Sequence, residues 1–270
     1  MVYRSPRITV MIRAAEKAAR SLKRDFGEVE NLQVSKKGPA DFVSTADLKA
    51  EKILKEELKR ARPEFGFLTE EAGIEKGESK DERWIIDPLD GTTNFIKGIP
   101  QFAVSIALKV KGKLDQAVIY DPIRGELFTA SRGKGAQLNN MRIRVKSQKE
   151  LSGTVLATGF PFKQKQHSNA YMAMFGALFQ KASDMRRTGS TSLELAYVAA
   201  GRVDGYFEIG LKPWNSAAGE LLVIEAGGLI TDFTGGHNHT KSGNIVASNT
   251  RLQKEILKVI RPHLGEALSK

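Results

Sequence analysis

WIIDPLDGTTN, residues 84–94, is the stretch that says most about how this chain folds. Its apolar start, RWIID at 83–87, has the length and composition of a short buried strand. A proline then forces an extended bend, and Asp90 adds a second carboxylate shortly after Asp87. Gly91 follows at once, ahead of two threonines. The stretch therefore predicts two carboxylates and a glycine turn at the mouth of a buried strand.

Two carboxylates held this close repel each other unless a cation lies between them. The chain contains no cysteine, so any metal would be bound by oxygen or imidazole, and aspartate oxygens favour Mg²⁺ or a similar hard cation. Gly91 would let a phosphate group approach the backbone N–H groups, and the Thr92 hydroxyl could orient a water molecule. The alternative is a turn in which both aspartates cap backbone donors.

Around this stretch, the first half of the chain predicts two helices on a largely antiparallel sheet. Ser44 and Asp47 match a capping box that begins a helix running to Arg60. The segments FAVSIALKV and KLDQAVIYDP are separated by a Lys-Gly turn and predict a hairpin, which ELFTASRG continues. Apolar residues at helical spacing predict a first helix over residues 7–26 (Ile8, Met11, Ile12, Ala15, Ala18, Ala19, Leu22), and one face of the second helix (Leu48, Ile53, Leu54, Leu58).

The second half alternates between strand and helix patterns, from TVLATGF to a final helix beginning near residue 251. We place a soft boundary in the polar segment VKSQKELSG. The predicted fold class is α/β, with an α+β N-terminal lobe over residues 1–150 and an α/β C-terminal lobe over residues 151–270. Two lobes that share a cleft commonly bind a small molecule there.

Composition narrows the class of protein. With 270 residues and 41% hydrophobic content, the chain can bury a substantial core. Its basic N-terminus lacks the continuous apolar segment of a signal peptide, and no run of about 18 apolar residues occurs. We therefore expect a cytoplasmic protein without a membrane partner. The net charge of +11 suits either a basic cleft that attracts a phosphorylated substrate or, as the less favoured alternative, a nucleic-acid partner.

Further polar residues are candidates for the same site. Glu70 follows an apolar segment in FLTEEAG, Glu208 ends a predicted strand, and RRTGSTS at 186–192 suits phosphate or polyol contacts, or the cap of the next helix. Asn215 begins a helix, where its side chain could cap the helix, bind a metal or accept a hydrogen bond from a substrate hydroxyl. The motifs GxSxG, GxxxxGK[ST] and GxGxxG do not occur.

Several of these segments, in order along nearly the whole chain, resemble the inositol monophosphatase family of Mg²⁺-dependent, lithium-sensitive phosphatases. The segments are GPADFVSTAD, FGFLTEEAG, WIIDPLDGTTNFIKGIPQFAVSIAL, RTGSTSLELAYVAAGRVDGYFE, KPWNSAAGELLVIEAGG and GNIVASN. The DPLDGTTN block is typical of a wider superfamily that includes fructose-1,6-bisphosphatases and 3′-phosphoadenosine 5′-phosphate phosphatases. The segment from RTGSTS to Glu208 is most similar to the bacterial inositol monophosphatase type.

The resemblance implies a layered αβαβα sandwich, usually dimeric, and a role for each matching residue. Two or three Mg²⁺ ions would be bound by Glu70, Asp87, the Leu89 carbonyl, Asp90 and the residue at position 215. Thr92, backed by Asp47, would orient the attacking water together with Glu70. The Gly91 and Thr92 N–H groups would bind phosphate, and Glu208 would accept hydrogen bonds from ring hydroxyls, with Ser190 and Thr191 nearby. Mn²⁺ could replace Mg²⁺, and Li⁺ would inhibit.

The chain departs from the family pattern at one of these positions. Where the family has tryptophan followed by aspartate, this chain has Trp214 and Asn215. The amide removes one negative charge where the second metal needs it, although its oxygen can still coordinate. Because disturbing even the outer partners of a metal typically costs about 10–100-fold in affinity or activity, we expect weaker binding of the second metal and reduced turnover.

The predicted activity is hydrolysis of inositol monophosphate or a similar phosphomonoester. The alternatives are another ester, such as fructose 1,6-bisphosphate, 3′-phosphoadenosine 5′-phosphate or histidinol phosphate, or an impaired regulatory, RNA-associated protein.

Overall fold

The computed structural model describes residues 5–28, 34–38 and 41–269. Helical and sheet patterns in the sequence become α-helices and β-strands close to the predicted positions. The described helices are α1 (Pro6–Phe26), α2 (Thr45–Ala61), α3 (Thr92–Ile96), α4 (Ser168–Phe179), α5 (Thr191–Ala199), α6 (Pro213–Glu225), α7 (His239–Ser242) and α8 (Thr250–Ile260). None of the helices within these ranges has the length and apolar character needed to cross a membrane.

Most of the described strands belong to two sheets. The first sheet contains β3 (Gly66–Thr69), β4 (Gly73–Glu75), β5 (Glu82–Asp90), β6 (Ala103–Val110), β7 (Lys113–Asp121), β8 (Glu126–Ser131), β9 (Gly135–Leu138) and β10 (Met141–Ile143), in the order β10-β9-β8-β7-β6-β5-β3-β4. Its strands pair antiparallel except β3 with β5. A separate hairpin joins β1 (Val34–Gly38) to β2 (Asp41–Ser44).

The second sheet is mixed. It contains β11 (Val155–Thr158), β12 (Asp184–Arg186), β13 (Gly205–Glu208), β14 (Leu229–Thr231) and β15 (Ile245–Ser248), in the order β12-β11-β13-β15-β14. Strand β11 is parallel to both of its neighbours, and the remaining pairs are antiparallel. The predicted hairpin in the first sheet and the alternation in the second half are both confirmed.

Three apolar clusters hold the layers together. Helices α1 and α2 cover one face of the first sheet, where Met11 and Leu54 are buried with Trp84. Helices α5 and α6 lie between the two sheets, and α4 and α8 cover the outer face of the second sheet. These layers form the αβαβα sandwich that the resemblance implies. Because α5 and α6 pack against both sheets, the halves share one core, and their division near residue 150 stays a prediction.

One detail of helix α2 is predicted wrongly. Leu48 was expected on the apolar face with Leu54 and Leu58, but its side chain is 53% exposed. The buried residues of α2 lie at positions 46–47, 50–51, 54 and 57–58 and form one face of the helix. Residue 48 lies beside this buried face and is not part of it. The predicted burial of the α1 residues is confirmed throughout.

Candidate active site

A cavity of about 300 Å³ contains most of the residues that the sequence singled out. The end of β5 and the start of α3 form one side, while the end of β13 and the start of α6 form the other. Its lining includes Glu70, Asp87, Leu89, Asp90, Gly91, Thr92, Thr191, Glu208 and Asn215. Asp47 and Ser190 do not line the cavity, but both side chains bond to residues that do.

The two aspartates of β5 are buried. Asp87 is fully buried and Asp90 is 7% exposed. Burial raises the pKa of Asp87 well above its ordinary value, and the nearby charges of Glu70 and Asp90 raise it further. Burial also raises the pKa of Asp90. Both shifts arise chiefly because a carboxylate loses its hydration when it is buried in this site.

Asp90 is fixed by the second half of the chain. Its Oδ2 atom accepts hydrogen bonds from the Ser190 hydroxyl at 2.6 Å, the Ser192 N–H at 2.7 Å and the Ser192 hydroxyl at 2.5 Å. These bonds join residues that are 100 and 102 positions apart in sequence. Ser190 is therefore placed with its fully buried hydroxyl on Asp90, and the bonds occupy one oxygen of that carboxylate.

Thr92 and Asp47 form a hydrogen-bonded pair. The Thr92 hydroxyl lies 2.9 Å from Asp47 Oδ1 and 3.1 Å from the Leu89 carbonyl oxygen, so its proton can go to either acceptor. Asp47 Oδ2 also accepts from the Ser44 N–H and hydroxyl at the start of α2. Burial raises the pKa of Asp47 above its ordinary value. The predicted capping acid thus also contacts the predicted catalytic threonine.

Gly91 explains how the chain turns from β5 into α3. Its φ of +103° lies in the left-handed region that favours glycine, and a Cβ at this position would lie 2.9 Å from the Gln101 carbonyl oxygen. Any larger residue would shift the backbone that follows the two aspartates. The turn leaves the Gly91 and Thr92 amides at the first positions of a helix, lining the cavity.

Glu208 lies across the cavity, at the end of β13. Its Oε2 atom accepts a hydrogen bond from the Thr191 hydroxyl at 3.0 Å and another from the Tyr206 hydroxyl. Burial raises the pKa of Glu208 to about 7, and the charge of Asp90 adds to the effect. This carboxylate therefore titrates near neutral pH and can change its hydrogen-bonding capacity there.

Asn215 contacts both the helix terminus and the acidic site. Helix α6 begins at Pro213, so Asn215 is its third residue and not its first as the sequence predicts. Its Oδ1 atom accepts from the Lys212 N–H at 3.1 Å, as the third helical residue of a capping box does. Its Nδ2 atom donates to Asp87 Oδ2 at 3.0 Å and lowers the pKa of that carboxyl, against the larger effect of burial. The amide therefore gives Asp87 a partial positive charge at close range.

The donor set fits a hard cation in its chemistry. Asp87 and Asp90 are buried, bear raised pKa values and lie beside Glu70, so a divalent cation would relieve their repulsion. Within the ranges that the structure describes, no group of three or more acidic or histidine side chains is already arranged around a metal position. The Asn215 amide would compete with a cation for Asp87 Oδ2.

Sequence reasoning missed two aromatic side chains and one lysine that line the cavity. Arg187 lies over the rings of Phe160 and Phe162, with its guanidinium carbon 5.4 and 5.3 Å from their centroids. Lys212 also lines the opening. Arg187 belongs to the predicted RRTGSTS segment, but GFPF carries no helical or strand periodicity that would have marked its phenylalanines.

Comparisons with known proteins agree with this fold and site. Nus factor SuhB of Escherichia coli (strain K12) is 52% identical over 265 residues, covering 98% of this chain and 99% of the relative. A crystal structure of extragenic suppressor protein suhB from Bartonella henselae has a TM-score of 0.94 at 50% identity, covering 96% of this chain and 100% of that one. The structure of inositol monophosphatase from Anabaena (Nostoc) has a TM-score of 0.84 at 34% identity, covering 94% of each chain. The model of the inositol monophosphatase family matches residues 4–265, and the chain belongs to that family.

Proposed function

We propose that this chain is a Mg²⁺-dependent phosphatase that hydrolyses inositol monophosphate or a similar small phosphomonoester. The observation that carries the proposal is that groups suited to metal binding and catalysis lie at the same cavity as a carboxylate suited to binding substrate hydroxyls. The buried Asp87 and Asp90 lie beside the Thr92–Asp47 pair, and Glu208 faces them from the other half of the chain. Family membership supports phosphatase activity in general, while the choice of substrate rests on Glu208.

The metal ligands would be the acidic groups of β5 and their neighbours. Glu70, Asp87, the Leu89 carbonyl and Asp90 would bind the ions, and Asn215 would occupy the place of a further ligand. When bound, Mg²⁺ would supply Lewis-acid stabilisation of charge on the phosphoryl oxygens and would activate water for attack. Mn²⁺ is expected to replace Mg²⁺, and Li⁺ is expected to inhibit.

The side chains of the chain itself would orient the reactants. A Thr92 hydroxyl that donates to Asp47 Oδ1 leaves its own oxygen free to accept a hydrogen bond from water, and Glu70 would accept a second hydrogen bond from the same water. Because burial raises the pKa of Asp47, its carboxylate accepts a proton more readily than an ordinary aspartate does. The Gly91 and Thr92 N–H groups at the start of α3 would bind the phosphate oxygens. Glu208, and Thr191 beside it, would bind the hydroxyls of a polyol.

Asn215 is expected to attenuate this activity. An amide supplies one negative charge fewer than the aspartate of the family pattern, and its nitrogen already donates to Asp87. We therefore propose that the chain needs more Mg²⁺ than a relative with aspartate there, and turns over more slowly.

A phosphate-release assay tests the proposal. Inositol monophosphate, fructose 1,6-bisphosphate, 3′-phosphoadenosine 5′-phosphate and histidinol phosphate would be compared by kcat/KM, with Mg²⁺, with EDTA, and with Li⁺ added. We expect Mg²⁺-dependent hydrolysis that favours the inositol ester and is lost in Asp87→Asn. Asp115→Asn is the matched control, because Asp115 pairs with Arg7 outside the cavity. A preference for the nucleotide would overturn the inositol assignment, and phosphate release that ignores EDTA would overturn the metal dependence.

A regulatory, RNA-associated role is the second candidate. The observations that favour it are the net charge of +11 and the name Nus factor carried by relatives that are about half identical. Binding of a single-stranded RNA would be measured by anisotropy across a salt series, with Asp87→Asn in parallel. Binding that weakens steeply with salt and survives in Asp87→Asn would support this role. No binding at low salt would remove it.

We also propose that the chain forms a homodimer, as the resemblance implies, and that it is cytoplasmic, as its composition suggests. Light scattering would report a mass of about twice the 29.7 kDa chain. A mass equal to that of one chain at micromolar concentration would contradict the expectation.

A further inference from the structure

Glu194 is a buried acid that the proposed reaction does not use. It lies in α5 and is 1% exposed. Its Oε1 atom accepts hydrogen bonds from the Thr188 N–H at 2.6 Å and from the Thr188 hydroxyl at 2.9 Å. A buried carboxyl without such partners would be costly, so its two bonds to one residue indicate a specific structural task.

Thr188 is in turn bonded to the first half of the chain. The Asn94 side-chain NH2 group donates to the Thr188 carbonyl at 2.8 Å and to the Gln101 carbonyl at 2.8 Å. The Gln101 amide donates to the Thr188 hydroxyl at 3.3 Å. Asn94 and Gln101 are both buried. We call Glu194, Thr188, Asn94 and Gln101 the Thr188 network.

The backbone next to Thr188 lies directly against α3. Gly189 has a φ of +87°, and a Cβ there would lie 3.0 Å from the Asn94 side-chain nitrogen. A left-handed residue in such close contact leaves room for glycine alone. The turn at residues 186–192 is thereby seated on the helix that begins with the proposed phosphate-binding amides.

Both ends of this contact lead to groups of the site. On one side, α3 begins at Thr92, directly after Gly91. On the other side, the residues after Gly189 bond to groups on both sides of the cavity, with Ser192 on Asp90 and Thr191 on Glu208. Thr188 is therefore a point where the two halves of the site are held at a set distance from each other.

We propose that Glu194 is a positioning residue, which acts through the Thr188 network to hold the turn at 186–192 against α3. Removing its carboxyl leaves the N–H and hydroxyl of the half-buried Thr188 without their acceptor, and the turn loses the two bonds that hold it in place. Misplacement of about 1 Å costs on the order of 100-fold in rate when reacting groups are held by such contacts. The activity consequence rests on the proposed phosphatase function, whereas the structural consequence does not.

The test compares Glu194→Ala with Glu194→Gln. The alanine variant removes the acceptor, while the glutamine variant keeps an oxygen that can accept both Thr188 bonds. Glu225→Ala is the matched control, because Glu225 also accepts two backbone N–H bonds across the halves, from Gly133 and Gly135, at the far end of α6 from Asn215. Each variant would be assayed for kcat/KM and for amide hydrogen exchange in the segments 91–98 and 186–192.

We expect Glu194→Ala to lower kcat/KM about 10–100-fold at a temperature well below its unfolding midpoint. Exchange should accelerate in both segments, although they are far apart in sequence. Glu194→Gln should restore kcat/KM to within about threefold of wild type and restore slow exchange. Glu225→Ala should match wild type in both measurements. If Glu194→Ala changes exchange in 186–192 alone and leaves kcat/KM near wild type, the proposal is overturned.

Two arrangements keep the test decisive. If Glu194→Ala does not fold, Thr188→Val replaces it, since this variant removes only the hydroxyl bonds to Glu194 and Gln101 and should lower kcat/KM about fivefold. Unchanged kcat/KM and exchange in a folded Thr188→Val would then count against the proposal. If the wild-type chain releases no phosphate, the proposed function fails, while faster exchange in both segments would still support the network.

Discussion

Replacing Asn215 by aspartate would exchange a hydrogen-bond donor next to Asp87 for a negative charge. In the present structure the Asn215 amide donates to Asp87 Oδ2 at 3.0 Å and accepts from the Lys212 N–H at 3.1 Å. A carboxylate would keep the second bond, because it accepts hydrogen bonds as well as an amide oxygen does. It would lose the first bond and place a negative charge against a carboxyl that is already fully buried. We therefore expect a less stable metal-free protein that binds Mg²⁺ more tightly.

The magnitude follows from these contacts. A hydrogen bond to a charged group contributes about 1.5–3 kcal/mol, and a negative charge at a helix N-terminus returns about 0.3–1 kcal/mol. A net loss of about 1–2 kcal/mol lowers the Tm by roughly 2–8 °C in a chain of this size. An affinity for Mg²⁺ that rises about 10–100-fold adds about 1.4–2.7 kcal/mol of stability once both proteins are saturated. Saturating Mg²⁺ should therefore bring the variant to the wild-type Tm or above it.

The assay is thermal unfolding in EDTA and across a Mg²⁺ titration, with phosphate release measured at each concentration. Asn249→Asp is the control, since Asn249 caps α8 and lines no part of the cavity. The control should leave the Mg²⁺ dependence unchanged. Our account of Asn215 would be refuted by a variant whose metal-free Tm, Mg²⁺ midpoint and turnover all equal those of the wild type.

Three further predictions concern single side chains. Burial raises the pKa of Glu194 from its ordinary 4.5 to about 8, so its contribution to stability is present below pH 4.5 and lost as the pH rises through 8. In urea unfolding, the free energy of unfolding of Glu194→Gln should therefore increase relative to that of wild type between pH 5 and 8. A difference that stays constant over this range would contradict the prediction. Glu208 has a pKa of about 7 and accepts hydrogen bonds best when it is ionised. For an inositol ester, kcat/KM should therefore rise through pH 7 in wild type relative to Glu208→Gln. Identical pH profiles would count against a role of Glu208 in substrate binding. Thr92→Val should lower kcat about 100-fold or more, because it removes the hydroxyl, while Thr92→Ser should keep kcat within about tenfold of wild type. Equal losses of kcat in the two variants would exclude a role for the hydroxyl.

Local sequence patterns predicted most of the fold. The spacing of apolar residues located α1, and the Ser44–Asp47 capping box located the start of α2. The apolar run before Asp87 located β5, because a buried strand needs little more than length and hydrophobicity to be recognised. The short strands β4 and β12 have three residues each and no alternation long enough to detect.

Contacts between distant segments were beyond this reasoning. The RRTGSTS segment suggested phosphate or polyol contacts or a helix cap, whereas Ser190 and Ser192 donate to Asp90. The segment's hydroxyls could be recognised, but periodicity says nothing about partners 100 residues away. Glu194 looked like any other acid in a helical pattern, since only the fold reveals its burial. The resemblance to the family supplied site residues that spacing alone left open.

Asn215 shows why a choice among helix cap, metal ligand and acceptor of a substrate hydroxyl is too narrow. All three alternatives concern the amide oxygen, and that oxygen accepts from the Lys212 N–H. The amide nitrogen makes the more consequential contact, because its bond to Asp87 favours the ionised carboxyl and so supplies part of the positive charge that a cation would bring. An aspartate has no such donor and would depend on the metal for the same effect. We therefore expect this one amide to affect two properties in opposite directions. It should stabilise the acidic site without metal, and by occupying Asp87 Oδ2 it should weaken the binding of Mg²⁺ there.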